Sequence, residues 1–341
     1  MRISACLLAI ALLLPAGGAA AQQGSSDSFW GKELSVYIGS TPGGGYDQYG
    51  RLLARHIGRH LPGNPSVVPR NMPAGGGREV MSYLYNVAPK DGTAIAITLR
   101  DVGFDPLLNA GPAAKYDALR LTWLGSMNAE TSLCVSWATA PFRSLQDTME
   151  HEIIMGSSGP DASDSVHPRL LNQIAGTKFK LVEGYQGSTE VHLAMERGEV
   201  QGRCGLGWDS IVSRYKQWLD EKKIVLLVQM ALDKHPDLPN VPFVMDLART
   251  ERDRQIASLV LGPNKMGRPI FAPPGLAPER VRILREAFAA TMRDPQLKAD
   301  ADKMRVPIEW LSGADTEALV KRLYATPPEV IAATRKLLGP S

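Results

Sequence analysis

The chain has 341 residues, of which 44% are hydrophobic and 21% are charged, and its net charge at pH 7 is +3. Positive and negative residues are mixed along the whole length, whereas a nucleic-acid-binding protein concentrates lysine and arginine on one face or tail. The composition therefore argues against nucleic acid as a partner. At roughly 100–200 residues per domain, the length predicts two domains that can bury their cores without metals or disulfides.

The first 21 residues have the pattern of a secretory signal peptide. Arg2 supplies a positive start, an apolar segment runs from Cys6 to Leu14, and three alanines end at Ala21. The apolar segment is too short for a membrane-spanning helix, which needs ~20 apolar residues, and no cysteine for a lipoprotein anchor follows closely. We therefore predict cleavage after Ala21 and export of the mature chain to the periplasm.

The mature chain begins with two successive units of strand, glycine loop and helix. An apolar strand at 34–38 leads into a glycine loop at 39–45 and a helix whose apolar residues recur at helical spacing. A second strand begins at 67–68 and leads into the glycine loop at 73–77 and another helix, and a third strand follows at 94–99. This alternation predicts an α/β domain with a largely parallel sheet.

A second α/β stretch begins near Thr122. Its predicted elements are strands at 133–137 and 153–156, a helix at 168–175, a strand at 180–183, a helix at 189–197, and strands at 200–204 and 224–230. From Pro278 onward, apolar residues at helical spacing predict a mostly helical segment.

Two cysteines, Cys134 and Cys204, remain after removal of the signal peptide. An oxidising compartment permits a disulfide between them, and two buried free thiols are the alternative. Neither residue has the spacing of a redox motif or a metal site. In both cases we expect only a structural role.

The two glycine loops carry the most chemical information. Each lies between a strand and a helix, where backbone N–H groups and the positive end of the helix dipole attract an anion. Glycines leave no side chain to hold a ligand away from those donors. In open α/β sheets such loops lie at the carboxyl ends of the strands, where ligands bind. The sequence thus predicts a site for a carboxylate or phosphate.

Nucleotide-binding patterns fit these loops poorly. Neither loop has the Gly-Lys-Ser/Thr of a phosphate-binding loop, and Gln48 stands where a dinucleotide-binding loop has its third glycine. A tight turn without a ligand is the alternative for either loop alone. Nearby, Arg78 can pair with a ligand carboxylate or remain solvated, Asp47 is typical of a helix N-cap, and Tyr46 lines a cleft or only packs.

No constellation of catalytic residues is evident in the sequence. The six histidines are scattered without the HExxH spacing of a zinc enzyme, and the segment Gly205-Leu206-Gly207-Trp208 lacks the serine of a nucleophile elbow. We predict structural roles for His167 and His192, with at most one of them lining a pocket. We therefore expect no enzyme activity, no cofactor and no metal.

Several motifs resemble those of the substrate-binding receptors of tripartite tricarboxylate transporters, also called Bug proteins. The segment Thr41-Pro42-Gly43-Gly44-Gly45-Tyr46-Asp47 is similar to the family's Pro-Gly-Gly-Gly-x-Asp signature. Further segments match family motifs in the expected order, at 71–77, 88–92, 157–159, 184–188, 197–202 and 271–278. The resemblance covers nearly the whole mature chain.

The resemblance implies a two-lobed periplasmic binding protein of the type II Venus-flytrap kind. Its α/β lobes have mixed, mainly parallel sheets, and its C-terminal segment is helical. We expect lobe 1 to comprise residues 28–125 and 250–341, and lobe 2 to comprise residues 126–249. Such a monomeric receptor captures a small carboxylate and delivers it to membrane permease subunits. An orphan or sensory receptor without its own permease is the alternative.

By the same resemblance, the ligand is held by both glycine loops and faced by the second lobe. The implied ligand-binding residues of the first lobe are Thr41, Pro42, Gly43, Gly44, Gly45, Tyr46, Asp47, Ala74, Gly75, Gly76, Gly77 and Arg78. Those of the second lobe are Ser157, Ser158, Tyr185, Gln186, Gly187, Ser188 and Asp209. Tyr46 and Arg78 replace the small residues usual in the family, which leaves the identity of the ligand open.

Overall fold

A computed structural model of the chain describes residues 29–108, 115–160, 162–185 and 187–338. It contains two mixed β-sheets flanked by helices. The predicted signal peptide lies outside these ranges. Within them, no helix combines the length and the apolar character needed to cross a membrane.

The two sheets are built from strands that leave and re-enter each sheet along the chain. The strands are β1 (Glu33–Ile38), β2 (Ser66–Asn71), β3 (Ala94–Ile97), β4 (Thr122–Ser126), β5 (Ser132–Trp137), β6 (Ile153–Gly156), β7 (Phe179–Val182), β8 (Gly202–Gly207), β9 (Ile224–Met230), β10 (Pro269–Ala272) and β11 (Leu311–Ser312). The first sheet has the order β11-β4-β10-β3-β1-β2, and the second has the order β7-β6-β8-β5-β9.

Helices cover the faces of both sheets. They are α1 (Gly45–Ile57), α2 (Arg78–Asn86), α3 (Asp105–Leu108), α4 (Leu145–Glu150), α5 (Ser163–Ala175), α6 (Ser188–Arg197), α7 (Trp208–Arg214), α8 (Lys216–Asp220), α9 (Val244–Leu247), α10 (Glu251–Lys265), α11 (Pro278–Arg293), α12 (Pro295–Met304), α13 (Gly313–Tyr324) and α14 (Pro328–Leu338). Short 3-10 helices occur at Gly58–His60, Ala74–Gly77 and Val102–Phe104. The predicted α/β architecture with two sheets and a helical C-terminal segment is confirmed.

The sheets are less parallel than the sequence predicts. β1 pairs in parallel with β2 and β3, and β6 with β7 and β8, because a strand followed by a crossover helix returns in the same direction. β5 and β10 enter a sheet directly after the chain has crossed from the other one, and both pair antiparallel with their two neighbours. These crossings make each sheet mixed rather than mainly parallel.

Alternating apolar side chains explain how the first strands are buried. In β1, Leu34, Val36 and Ile38 are fully buried, whereas the two residues between them are half-buried. These three side chains belong to one core cluster with residues of α1 and α11. On the other face of the sheet, Trp123 packs against Phe271 with ring centroids 5.6 Å apart. Burial of each such apolar side chain contributes ~1.5–3 kcal/mol to the stability of the fold.

Two chain segments connect the sheets and lie side by side. The first, 127–131, runs from β4 to β5, and the second, 231–268, returns from β9 to β10 and contains α10. The Met127 N–H donates to the Arg268 carbonyl at 3.0 Å, and the Glu130 N–H donates to the Asn264 carbonyl at 2.8 Å. Closure of two lobes around a ligand takes place at a few connecting residues of this kind. We refer to these two segments as the crossing segments.

The boundaries of the two lobes stay a prediction, and the long helix α10 bears on them. Ile256 and Leu261 of α10, together with Leu337 of α14, lie in a core cluster of the second sheet. Leu259 of α10 lies in a core cluster of the first sheet. The segment 250–341, expected to belong to the first lobe, therefore contacts both sheets.

A disulfide joins Cys134 of β5 to Cys204 of β8. The two strands are paired in the second sheet, and the Cα atoms of the two cysteines are 3.9 Å apart. Both side chains are fully buried. The bridge therefore joins two neighbouring strands of the second sheet, and of the two alternatives that the sequence leaves open the structure has the disulfide.

Helix α5 begins at Ser163 rather than at Pro168, where the sequence predicts its start. Pro168 lies inside the helix, where a proline removes one backbone hydrogen bond. In the first turn, Asp164 accepts a hydrogen bond from the Ser158 N–H at 3.1 Å. A carboxylate at this end also suits the helix dipole, so the helix starts at the acidic residue and not at the proline.

Candidate ligand-binding site

The first glycine loop is fixed by a buried carboxylate at the start of α1. Asp47 is 3% exposed, and its side chain accepts from the Gly43 N–H at 2.8 Å. It also accepts from Arg51 Nε at 2.9 Å and Asn71 Nδ2 at 2.8 Å. Burial alone would raise the pKa of Asp47, but these donors hold it below its usual range. Asp47 lies in the first turn, because Gly44 is the N-cap, and this corrects the predicted capping role.

Only part of the first loop remains available to an anion. The N–H of Gly43 is taken by Asp47, and that of Gly44 donates to the Thr41 carbonyl at 3.3 Å. Among the described residues, the N–H groups of Gly45 and Tyr46 have no acceptor, as expected for the first turn of a helix. Thr41, Pro42, Gly43 and Gly45 are exposed. These two free donors and the helix dipole are what the loop offers to a ligand.

The second glycine loop forms a 3-10 turn that ends at a residue where only glycine fits. Gly77 has a φ of +87°, a left-handed conformation that favours glycine. A Cβ at this position would also collide with the Thr98 hydroxyl, which donates to the Gly77 carbonyl at 3.1 Å. Ala74 and Gly75 are exposed at the surface of the turn, and Gly76 lies within it. The backbone conformation of this loop thus requires glycine at position 77, whether or not a ligand is bound.

Arg78 is neither free nor simply solvated. Its Nε lies 2.5 Å from the carboxylate of Asp105, and its Nη1 donates to the Gly75 carbonyl at 3.3 Å. The guanidinium is thus held beside the second loop by a partner within the chain. A ligand carboxylate at Arg78 has to compete with Asp105.

In the second lobe, Ser157 and Ser158 bind a carboxylate of the chain itself. Asp164 accepts from the Ser157 hydroxyl at 2.8 Å and from the Ser158 hydroxyl at 3.0 Å. Arg203 Nη2 approaches the same carboxylate at 3.5 Å, and Arg203 Nη1 donates to His192 Nε2 at 2.9 Å. The two serines therefore support a buried Asp164–Arg203 pair.

The remaining predicted residues of the second lobe are divided between packing and a cavity. Tyr185 is half-buried and packs against an apolar cluster around Val191. Gly187 is the N-cap of α6, and Gln186 lies outside the described residues. Ser188 and Asp209 line a cavity, which is described next.

This cavity of about 300 Å³ lies where the second sheet meets the crossing segments. Its lining residues are Glu130, Ser188, His192, Arg203, Gly205, Leu206, Gly207, Asp209, Ser210, Arg214, Tyr215 and Arg268. Neither glycine loop is part of this wall. Arg268 connects the cavity to the first loop, because its guanidinium lies 4.5 Å from the centroid of the Tyr46 ring. Its Nη2 is also 3.6 Å from the place where a Cβ on Gly45 would stand.

Two arginines share one carboxylate at the crossing segments. Arg100 Nη1 binds Glu130 Oε2, and Arg268 Nη1 lies 3.8 Å from the same oxygen. Burial alone would raise the pKa of Glu130, but the two guanidinium groups hold it below its usual range. Glu130 is therefore ionised at neutral pH.

The guanidinium of Arg268 is incompletely satisfied. Its Nη1 donates to the Gly267 carbonyl at 2.7 Å, whereas its buried Nε has no acceptor among the described residues. A buried donor left without a partner costs ~1–3 kcal/mol. Arg268 thus carries an unpaired donor and is one of the residues that line the cavity.

Asp209 lies near the same charged groups. It accepts from Asn128 Nδ2 at 3.2 Å. Burial raises the pKa of Asp209 above its usual range, although the Asn128 amide opposes this. No group of three or more potential metal-ligand side chains is found in the described part of the chain. The amide of Asn128 and the charges of Asp209, Glu130 and Arg268 thus lie close together at this end of the cavity.

The sequence gives no direct indication of Arg100, Glu130 or Arg268. They stand far apart in the chain and outside both glycine loops, and no spacing rule connects them. Arg268 lies well past the predicted boundary at 249/250, but Glu130 lies close to the predicted change from lobe 1 to lobe 2 at 125/126. Charged residues beside such a change are candidates for a site between lobes.

Lowering the pH from 7.5 to 5 is expected to destabilise the fold through two buried histidines. Burial, assisted by Arg100, lowers the pKa of His167 to about 3, and burial, assisted by Arg203, lowers that of His192 to about 4. In the unfolded chain both bind a proton near pH 6.5, so unfolding takes up protons below that pH. Stability should fall by up to ~1.4 kcal/mol per pH unit for each histidine.

Urea unfolding at pH 7.5, 6 and 5 measures this slope. His167→Gln is the matched variant, because His167 Nδ1 has no hydrogen-bond partner among the described residues and glutamine removes the titration. We expect the variant to lose one histidine's share of the slope. An unfolding free energy that stays constant over this range in the original chain contradicts the prediction.

No protein-family model matches the chain. A UPF0065 protein encoded in the tcbD–tcbE intergenic region of Pseudomonas sp. strain P51 is 27% identical over 250 residues, which is 71% of this chain and 70% of that protein. Among solved structures, a TctC solute-binding protein from Polaromonas has a TM-score of 0.71 and 17% identity, with 89% of this chain and 97% of the other covered.

Two further solved structures are similar over almost their whole length. The periplasmic binding protein BugD has a TM-score of 0.57 and 16% identity, with 89% of this chain and 97% of BugD covered. MatC from Rhodopseudomonas palustris with bound malate has a TM-score of 0.56 and 18% identity, with 90% and 98% covered. The chain therefore has the two-lobed fold of the TctC and Bug solute-binding proteins, the family that its sequence motifs resemble.

Proposed function

We propose that this chain is a receptor outside the cytoplasm that captures a small carboxylate between two lobes and delivers it to the membrane subunits of a tripartite transporter. The observation that carries the proposal is the cavity at the crossing segments, where the Arg268 guanidinium adjoins the first turn of α1. A guanidinium and free backbone N–H groups together make an anion site. The cavity volume, about 300 Å³, is at the small end of ligand pockets.

The likeness to solute-binding proteins supports the delivery step. The MatC structure contains malate, a small carboxylate, and BugD is a periplasmic binding protein. The predicted signal peptide, cleaved after Ala21, is consistent with a periplasmic location for this chain. We propose a monomer that binds without catalysis and whose lobes close around the ligand at the crossing segments.

Different residues have different roles in the proposed site. Gly45 and Tyr46 donate their N–H groups to the ligand from the first lobe. Ser188 and Asp209 contact it from the wall of the cavity in the second lobe. Asp47 holds the first loop in place from behind, as its hydrogen bond to the Gly43 N–H supports.

A thermal-shift screen of small mono-, di- and tricarboxylates tests the proposal. We expect at least one compound to raise the melting temperature, because a ligand at a hundredfold its dissociation constant stabilises the folded state by about 2.7 kcal/mol. Sugars and nucleotides of similar size are the controls. Stabilisation by these controls alone, without any carboxylate, contradicts the proposal. Calorimetric titration of the hits then gives their dissociation constants.

A further inference from the structure

We infer that Arg268 binds the ligand carboxylate directly and that Glu130 competes for the same guanidinium, so that the site selects monocarboxylates over dicarboxylates. The inference rests on the proposed function and names its ligand class. Both residues belong to the crossing segments, and both line the cavity.

Arg268 is held in place by groups that leave its donors available. Its guanidinium lies over the rings of Tyr46 and Tyr49, at 4.5 and 5.1 Å from their centroids. Aromatic faces attract a cation but accept only weakly from its N–H groups. Among the described residues, the buried Nε has no acceptor, and Nη1 is satisfied by a backbone carbonyl. The side chain is thus oriented in advance and retains hydrogen-bonding capacity at the cavity wall.

Glu130 attracts Arg268 without satisfying it. The closest atoms, Arg268 Nη1 and Glu130 Oε2, are 3.8 Å apart, which is an ion pair without a hydrogen bond. The same oxygen forms the shorter contact with Arg100. Both Glu130 and Arg268 are largely buried, with side chains 18% and 17% exposed, so water screens their interaction only partly. A ligand carboxylate can therefore take the vacant donor of Arg268, but it does so beside an existing negative charge.

The charge of the cavity wall limits the ligand to one carboxylate. Of the three arginines in the wall, Arg203 is already paired with the buried Asp164, and Arg214 is exposed at the surface. Of these three arginines, Arg268 is therefore the one that can pair with a buried anion. A second ligand carboxylate would meet Glu130 and Asp209, and like charges in a buried site repel strongly. A hydroxyl or ammonium group at that position would instead find two acceptors.

Calorimetric titration with pairs of monocarboxylates and dicarboxylates of matched chain length, with and without a hydroxyl group, tests the inference. We expect the original chain to bind the monocarboxylate of a pair more tightly, with a further gain from the hydroxyl. Arg268→Gln should lower the affinity for the monocarboxylate about 30-fold or more. The affinity of Arg268→Lys should lie between that of the original chain and that of Arg268→Gln. Glu130→Gln should narrow the preference for monocarboxylates by about tenfold.

Arg282→Gln is the matched control, because Arg282 is an exposed arginine of α11 bonded to Glu279 and Glu286. It should bind like the original chain. If the original chain binds a dicarboxylate more tightly, or if Arg268→Gln lowers the melting temperature but leaves the dissociation constant unchanged, the inference is wrong while the proposed function stands. If no carboxylate binds the original chain, the proposed function fails and the inference fails with it. Should Glu130→Gln not fold, the two Arg268 variants decide.

Discussion

Replacing Gly44 by valine is expected to abolish carboxylate binding while the protein keeps its fold. Gly44 directly precedes the free N–H groups of Gly45 and Tyr46 at the start of α1. An added isopropyl group occupies the space beside these donors, which a bare glycine leaves to the ligand. Loss of two hydrogen bonds to a charged group, at ~1.5–3 kcal/mol each, corresponds to an affinity lower by about 100-fold or more. Calorimetric titration with a hit from the carboxylate screen measures the loss.

The fold should survive this substitution for a steric reason. A Cβ at Gly44 would lie 3.4 Å from the Thr41 carbonyl oxygen, an ordinary contact, and the φ of −73° suits any residue. Because valine is a poor N-cap, a loss of ~1 kcal/mol is expected in the melting transition. Gly159→Val is the control, since a Cβ there meets no atom within 4 Å. If Gly44→Val binds with unchanged affinity, the first loop is not the donor that we propose.

The sequence predicts the fold well where local signals and packing agree. β9 spans Ile224–Met230, as the apolar run predicts. In α10, by contrast, Gly262 and Pro263 resemble a turn, and the helix Glu251–Lys265 was not predicted. That helix packs against the cores of both sheets, and tertiary packing of this kind overrides a weak local preference.

In the candidate site, too, the sequence predicts what is contiguous in the chain and misses what only folding brings together. The glycine loops are contiguous in the chain, so their chemistry is visible in the sequence. Arg100, Glu130 and Arg268 come together only through the crossing of the chain between the two sheets. Ser157 and Ser158 illustrate a second difficulty, because a sequence does not show whether a hydroxyl binds a ligand or a carboxylate of the chain itself.

The largest loss of stability is expected for Asp164→Ala, which leaves the guanidinium of Arg203 without its carboxylate. Both side chains are almost fully buried, with 2% of each residue exposed. Burial lowers the pKa of Arg203, and Asp164 opposes that shift. Removal of one partner from a buried ion pair typically costs ~3–5 kcal/mol. The hydroxyls of Ser157 and Ser158 also lose their acceptor. Urea unfolding at pH 7.5 measures the free energy of unfolding.

The double variant Asp164→Ala with Arg203→Met separates the two contributions to this loss. It removes both charges, and replacement of a buried pair by apolar side chains is often neutral. Because the two serines lack their acceptor in both variants, the stability regained by the double variant reports the relief of the uncompensated charge, less the cost of losing the hydrogen bond from Arg203 to His192. We expect it to regain most of the loss. If the single variant loses less than ~1 kcal/mol of unfolding free energy, the pair is as weak as a solvated surface salt bridge, and the structural role given to Asp164 is wrong.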